Sequence, residues 1–567
     1  MVLIFLPVFT EFNQTKFICP IIFYVFSMRS VTPCKSGAQW QRIKKIEFKP
    51  AFAEYYAMVG DNVKKSAEKR SAAATDDYSG ALPSELLEEN IKFFKNIFKK
   101  DSVLRLKRVA VRGNYSYDCA LFYMDGMVNS ELVNESIVKP LLLVQTERSE
   151  KSFADYIENQ VLFASETKGT QNVADMLRAV LYGDTLLLID GCFTAITVNT
   201  KGWRTRGISE PDDERILQGP REGFDEAALL NVAMLRRKLL TPDLCTETVR
   251  IGRRSDTIVF ICYLDSLADG DMVAELKRRL SKINIDGILD TNYIAELIRD
   301  KPCSLFKTSG TTERPDIVAA RLLEGRIALI ADGTPVVLTF PYLFSENFQS
   351  DEDYYLNYAV ASVGRILRYI CFFLSVSIPA VFIAAATYHK ELLPTSLALT
   401  VTQLRGGVPF PAFAECILLI FVFEILKETG VRMPQSLGHA LSIVGGLVVG
   451  QAAVEARIIS APMLIIVALS GISGLMIPRL KGAVFYFRII FVCLSALFGL
   501  YGYIAGFTLM LIHILQLSSL GVSSTQSLNI ADGRSLKDTF WRAPWKNMRT
   551  RPIFCRNSVR LENKKVD

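Results

Sequence analysis

The sequence predicts an α/β region of two subdomains, then an all-α multispan membrane domain of four to six crossings, then a basic C-terminal tail. Three observations predict it. Charge is segregated: Tyr369–Leu517 carries 13 charged residues in 149, whereas the other 418 residues carry 110. Three runs without charge, Tyr369–Tyr388, Ile458–Pro478 and Ile489–Leu517, are long enough to cross a hydrocarbon core of ~30 Å. Between residues 81 and 345 apolar residues alternate instead between helix and strand periods. This distribution excludes an ordinary soluble enzyme, a secreted disulfide scaffold and a mostly disordered chain.

The expected boundaries are an extension at 1–80, a first α/β subdomain at 81–200, a connector at 201–224, a second subdomain at 225–345, a transmembrane domain at 365–517 and a tail at 518–567. Residues 1–28 are apolar but interrupted by Glu11 and Lys16, so neither piece spans a bilayer, and no signal-peptide pattern is present. The expected start of translation is therefore downstream, at Met28 or Met58, with 1–57 a mis-called start. Residues 60–80 are polar and expected to be a flexible lead-in.

In the first subdomain, Ser84 followed by Leu86, Leu87, Ile91, Phe94 and Ile97 predicts an N-capped helix. Val103–Val111 and Ala120–Met124 predict strands, and Ser130–Leu143, Phe153–Phe163 and Val173–Tyr182 predict helices. Thr185–Asp190 and Phe193–Val198 predict a hairpin around Gly191. Thr200–Phe224 predicts either a charged surface loop or a strap onto another domain or partner. In the second subdomain, Glu226–Leu240 and Asp271–Leu280 predict helices, and Thr248–Ile251 and Thr257–Leu264 predict strands. Ile327–Asp332 and Pro335–Thr339 repeat the earlier hairpin: LLLIDGCFTAITV and IALIADGTPVVLT share an apolar strand, Asp-Gly, apolar strand form. That pattern points to two related subdomains.

No enzyme signature occurs: no phosphate-binding glycine loop, no H-E-x-x-H, no G-x-S-x-G and no dinucleotide-binding glycine triplet. The chain is expected not to be an enzyme. Asp265, Asp269 and Asp271 are expected to be solvated loop carboxylates. The 11 cysteines are scattered without a CxxC pair and only three histidines exist, so no metal site and no cofactor is expected, and the thiols are expected buried and reduced. The last 50 residues hold ten Lys/Arg against four Asp/Glu. Without interleaved aromatics this predicts contact with membrane lipids, anionic ones above all, and no nucleic acid.

Arg365 and Arg368 precede the first uncharged run and predict a cytoplasmic start, with a cytoplasmic α/β region and tail. Pro379 is expected to kink that helix. In Ala412–Leu426, Glu415 and Glu424 lie on opposite faces, which predicts an interfacial, re-entrant or bundle-interior segment; the plainer reading pairs them with Arg405 and Lys427. Arg479, Lys481 and Arg488 predict a cytoplasmic loop after the Ile458 helix, which then demands a hairpin in Ile489–Leu517. Gly499, Gly502 and Gly506 are placed to bend or break that run.

Leu437–Val454 carries two overlapping small-residue stripes: Gly438, Ser442, Gly446 and Gly450, and Gly438, Ser442, Gly445, Val449 and Ala452. One reading is close helix packing. The other is a pore-lining helix of an oligomer with Glu455 as a cation-attracting ring at its mouth. His439 lies off the stripe and is expected to be structural.

The strings VGRILRY, SIPAVFIAAATYHKELLP, GVPFPAFAE and FEILKETGVRMPQSLGHALSIVGGLVVGQAAVEARIISAPM resemble the A subunit of bacterial GerA-type spore germination receptors. TKGWRTRGISEP, RLLEGRIALIADGTPVVLTFPYLF and SLKDTFWRAPWKNMRTRP extend the resemblance over residues 85 to 552. The resemblance implies a cytoplasmic α/β region and a multi-pass helical domain in the spore inner membrane. It implies a transporter-like B subunit and a lipoprotein C subunit as partners, and a homo-oligomer, a pentamer, acting as a nutrient-gated cation channel. An accessory stage V sporulation paralogue or a transporter component are the alternatives; no internal repeat between 365 and 517 favours the latter.

Overall fold

Each half of the α/β region opens with a helix whose first amide is capped from far away in sequence. In helix α1 (Leu87–Ile97) the Leu87 amide donates to Asp190 Oδ1 at 3.1 Å, and in α5 (Ala228–Lys238) the Ala228 amide donates to Asp332 Oδ1 at 3.0 Å. The glycine after each aspartate, Gly191 or Gly333, has φ of +73° or +91° and donates its own amide to Glu85 O or Glu226 O. Such φ values disfavour any side chain, which is why Asp-Gly recurs at both turns. A buried asparagine, Asn90 or Asn231, closes each lead-in loop by bonding the backbone of Ser84 or Asp225 in both directions. Ser84, expected to cap α1, bonds Leu86 N and Glu89 instead.

The computed structural model of the chain describes residues 78, 81–112, 116–143, 153–202, 214, 218–432, 448, 450–528, 537–557 and 559–560. The expectations for the extension at 1–77 and its start, and for most of the connector, lie outside the described residues. The first subdomain runs α1, β1 (Leu104–Arg112), β2 (Ser116–Met124), α2 (Ser130–Leu132, Val133–Val138 and Lys139–Leu143, the middle piece π-helical), α3 (Phe153–Tyr156 and Ile157–Val161), β3 (Thr167–Thr170), α4 (Val173–Leu181), β4 (Thr185–Ile189) and β5 (Ala195–Val198). The second repeats it: α5, β6 (Leu244–Ile251), β7 (Thr257–Leu264), α6 (Gly270–Leu280), α7 (Thr291–Leu297), β8 (Gly310–Thr312), α8 (Pro315–Leu322), β9 (Ile327–Ala331) and β10 (Val337–Phe340). Both sheets are antiparallel, ordered β1-β2-β4-β5-β3 and β6-β7-β9-β10-β8.

Central strands β4 and β9 are buried along their whole length, because helices cover both faces of each sheet. Leu186 and Leu188 pack toward α1 and α4, while Leu187 and Ile189 pack toward α2 and α3. The halves are welded together. Asp101, before β1, pairs with Arg236 of α5 and accepts from Thr246 of β6, with both charges buried. Ala233 of α5 enters the first core and Val103 enters the second.

Beyond Phe340 the chain forms two short 3-10 turns, Phe344–Phe348 and Asp351–Tyr354, and then helices α9 (Tyr358–Thr387), α10 (Thr395–Arg405), α11 (Ala412–Arg432), α12 (Ala461–Leu475), α13 (Lys481–Phe498) and α14 (Leu500–Leu515). End contacts fix their directions. α9 starts at the α/β region and ends where Tyr388 OH bonds Ala496 O, near the α13–α14 turn. α11 starts beside Ser460, at the far end, and returns to the near end, where Glu428 meets Lys481. α12 also runs toward the α/β region, α13 away from it, and α14 back to it, where His513 meets Ser304. Chain entry and exit therefore lie on one side.

Only Tyr358–Thr387 and Pro478–Phe498 among the described helices are long and apolar enough to cross a membrane, against the four to six expected. Two physical facts account for the difference. Gly499, with φ of +60°, breaks the long run Ile489–Leu517 into the antiparallel pair α13–α14, and α14 has 16 residues. Helix α12 has 15 residues, and α11 carries Glu415, Glu424 and Lys427. Gly502 and Gly506 allow the close approach within the pair: a Cβ at Gly502 would sit 2.0 Å from Leu494 O.

The basic tail is not a solvated strand. Its described part folds back on the second subdomain: Cys555 joins the core beside Leu267, Arg551 donates to Leu323 O, and Arg560 pairs with Glu324 at 3.0 Å. Asp269, expected to be a loop carboxylate, caps α6 by accepting from Asp271 N, and Asp265 pairs with Lys100.

Asp101→Ala leaves Arg236 charged, buried and unpaired, a loss of about 3–5 kcal/mol. We expect faster hydrogen exchange at the amides of β1 and β6 in the full chain, with exchange in β9 changed least.

Candidate functional site

Of the residues singled out by the sequence, Glu415 is fully buried and accepts from both Ser460 N and Ser460 Oγ at 2.5 Å, with Arg405 at 3.9 Å. It ties the start of α11 to the start of α12. Glu424 pairs with Lys427 at 3.0 Å. The plainer expectation, pairing with Arg405 and Lys427, describes both. Gly438, His439, Ser442, Gly445, Gly446 and Val449 lie outside the described residues. Residues 450–455 are helical, with Gly450 facing Leu464 of α12 while Ala452 and Glu455 are exposed. Gly450 and Ala452, one from each small-residue stripe, thus point different ways.

Arg488 is a correction. It lies in the middle of α13, 3% exposed, not in a loop. Pro379 explains how a guanidinium is held there. Proline has no N–H, so the carbonyl four residues earlier, Ser375 O, is released from the α9 ladder. Arg488 Nε takes it at 2.9 Å, Ser470 Oγ takes it at 2.7 Å, and Arg488 Nη2 takes Ser470 O at 3.1 Å. Three helices are fastened at one released carbonyl. A buried charge at such depth is costly and marks function more often than packing.

The largest concentration of buried charge lies where the α/β region, the helices and the tail meet. Asp353 accepts from Arg365 Nε at 3.0 Å and from both Nη atoms of Arg368 at 2.9 Å. Arg365 spans from Asp353 to Asp538 of the tail, 2.7 Å away, and Arg542 donates to the Asp353 and Leu356 carbonyls. Glu346, also buried, takes Arg326, just before β9, and Arg321 of α8. Arg479, between α12 and α13, donates to Glu346 O and pairs with Asp351 at 3.1 Å. Glu214 of the connector reaches Arg479 at 3.9 Å and accepts from Thr312 Oγ1 at 2.6 Å, so this part of the connector is a strap onto the junction.

Burial pushes the Asp353 carboxyl up, but Arg368 and Arg365 outweigh it and hold it below the ordinary range. Glu346 is likewise held low against burial by Arg326 and Arg321. Tyr354, buried and donating to Asp538 at 2.7 Å, is pushed well above its usual value, by burial first and then by Asp538. One further contact crosses the same boundary. Phe306, from the loop between α7 and β8, is fully buried among the helices, its ring 5.4 Å from Phe487 and 5.8 Å from His513.

Arg365 and Arg368 entered the sequence reading only as markers of orientation, and Asp353, Glu346, Asp538 and Arg542 were missed. The one signal was an excess of arginine on both sides of the apolar region, without carboxylates in register to identify partners.

Two outcomes follow for the junction. Asp353→Asn removes the charge shared by Arg365 and Arg368, and about 3–5 kcal/mol of local stability should go with it; hydrogen exchange at 344–354 and at the start of α9 checks this. Because Asp353 and Glu346 have depressed values in the folded chain, their contribution is complete above the ordinary carboxylate range, about 4, and is lost as pH falls through their lower folded values. With the intrinsic pH dependence of amide exchange divided out, protection in 344–354 should therefore fall below pH ~4 and be flat above it.

A family model described as Bacillus/Clostridium GerA spore germination protein matches residues 92–554. The chain is 38% identical over 486 residues to spore germination protein KA of Bacillus subtilis (strain 168), covering 85% of this chain and 88% of that protein. It is 33% identical over 471 residues to spore germination protein GerLA of Bacillus cereus, covering 82% and 95%. It is 37% identical over 434 residues to the uncharacterized membrane protein YfkQ of Bacillus subtilis (strain 168), covering 76% and 84%. Among solved structures it is similar to the N-terminal domain of the A subunit of the Bacillus megaterium spore germinant receptor GerK3, with 31% identity, a TM-score of 0.38, and coverage of 47% of this chain and 98% of that one. With the family model spanning both subdomains, the helices and the tail, the chain belongs to the GerA family of spore germination proteins.

Proposed function

We propose that this chain is the A subunit of a spore germinant receptor, a non-enzymatic multi-pass protein of the spore inner membrane. Its α/β region and tail lie on the cytoplasmic side. It assembles as a homo-oligomer, a pentamer, with a transporter-like B subunit and a lipoprotein C subunit, and conducts cations when nutrient is sensed. The observation that carries this reading is the buried junction. A soluble region joined to apolar helices by shared buried charges moves with them, as a gated protein requires. Entry and exit of the helical layer on one side fit a cytoplasmic placement of both flanking regions.

Residues 450–455 support one choice of pore face. Gly450 packs toward α12, so Gly446 and Gly450, the residues particular to the first stripe, are assigned to packing. Ala452 and Glu455 are exposed on the other side, so Gly438, Ser442, Gly445, Val449 and Ala452, ending at Glu455, are assigned to the pore. A second reading is an accessory membrane paralogue of the same family; the chain is 37% identical to the membrane protein YfkQ and 38% identical to protein KA.

Potassium release separates the two. Spores lacking this gene should fail to release potassium in response to one germinant and respond normally to others; normal release to every germinant favours the accessory reading. In reconstituted protein, Glu455→Gln should weaken cation preference and Val449→Ala should raise leak. Unchanged selectivity and gating in both, with assembly intact, contradicts the pore assignment.

A further inference from the structure

Under the tail lies a cavity of about 540 Å³, walled by α8, the turn Asp351–Tyr354 and the segment 545–560. That volume admits a small organic ligand. Its charges do not cancel. On one side Asp351 takes Arg479, whose second neighbour is Glu214, and Asp316 takes Arg314 from behind the wall. On the other side four guanidinium groups, Arg321, Arg326, Arg551 and Arg560, share only Glu324 and Glu346. Arg551 uses Nε and Nη1 on the Leu323 and Val559 carbonyls, and among the described residues its Nη2 meets no carboxylate. Burial and the nearby Arg560 lower its affinity for the proton. Arg326, 5% exposed, has an Nε without a hydrogen-bond partner. At the rim, the rings of Tyr355 and Trp545 are 42% and 53% exposed.

We propose that this cavity binds a small phosphate-bearing dianion. On that wall the four guanidinium groups outnumber their two carboxylates by two, a local charge that a phosphate monoester matches, and guanidinium forks bind its oxygens two at a time. The phosphate sits toward Arg551 and Arg560, and a flat group attached to it rests on Trp545 and Tyr355. Occupancy neutralises the surplus next to Glu346 and fastens the tail to α8, so the ligand stiffens the junction described above. Binding itself does not depend on ion conduction, and its test stands apart from the receptor reading.

The same phosphate chemistry has two sources, a soluble molecule or a lipid headgroup, and the experiment separates them. Full-length protein in lipid-free detergent is titrated with inorganic phosphate and with pyrophosphate, by calorimetry and by Trp545 emission taken as the difference from Trp545→Phe. It is then compared in phosphatidylcholine nanodiscs with and without phosphatidic acid. Saturable binding in detergent assigns a soluble ligand, and a Trp545 response confined to phosphatidic acid assigns a headgroup. In either case Arg551→Gln and Arg560→Gln should lose the response and Arg551→Lys, which keeps the charge without the fork, should keep part of it. Among the described residues Arg551 makes no ion pair but bonds the Leu323 and Val559 carbonyls, so the melting curve of Arg551→Gln is recorded alongside, and Arg551→Lys separates loss of charge from loss of fold. No response to any of the probes, or equal responses in the Gln variants, overturns the proposal.

Discussion

The sharing of Asp353 by Arg365 and Arg368, and of Arg365 by Asp538, fixes where the rest of the molecule can go. A charge withdrawn from water must be paired, and here each partner comes from a different part of the chain. Asp353 comes from the turn after the second sheet, the arginines from the first long helix, and Asp538 from the tail. None can leave without stranding the others. The tail is thereby held against the α/β region, the first helix starts at a set height, and Arg479 is brought to Glu346 and Asp351 at the next helix connection. Phe306 adds an apolar contact across the same boundary. The α/β region is geared to the helices through several short contacts rather than hung from a linker.

The two α/β halves are one design used twice. The agreement extends past strand order to the Asp cap, the glycine beside it and the buried asparagine. Among the described residues the second half makes the junction, through Arg326 before β9, α8 and the turns beyond β10. The first half is fastened to the second through Asp101 and Arg236, so any displacement at the junction is passed on to a rigid pair. Within the helical layer the same economy appears at Pro379. A residue that weakens a helix ladder releases the carbonyl that holds Arg488, and three helices are joined there.

Much of the fold was legible. Periodicity located the long strands and helices, the repeated Asp-Gly hairpins pointed to related halves, and the glycines of the last apolar run marked its break at Gly499. What was not legible has a common cause. Strands β3 and β8 are short and polar at sheet edges, so they carry no apolar alternation. Ser84 had the local signature of a cap, but Asp190 won the position from a hairpin some hundred residues away. Arg488 reads as a boundary because a charge in an apolar run usually is one; its acceptor exists only because a proline lies in another helix. The arginines of the tail read as a patch for anionic lipid, since the carbonyls and carboxylates that occupy several of them are distant in sequence. Local patterns report local energetics, and the junction is made entirely of long-range pairs.

The most direct measurement is germinant-triggered potassium release from spores carrying Asp353→Asn, with the amount of protein in the inner membrane quantified alongside. If the buried junction transmits the signal, the protein is present at normal levels while release is lost or strongly delayed, and Asp353→Glu restores part of it. Release at the normal rate with Asp353→Asn, at normal protein levels, contradicts the account.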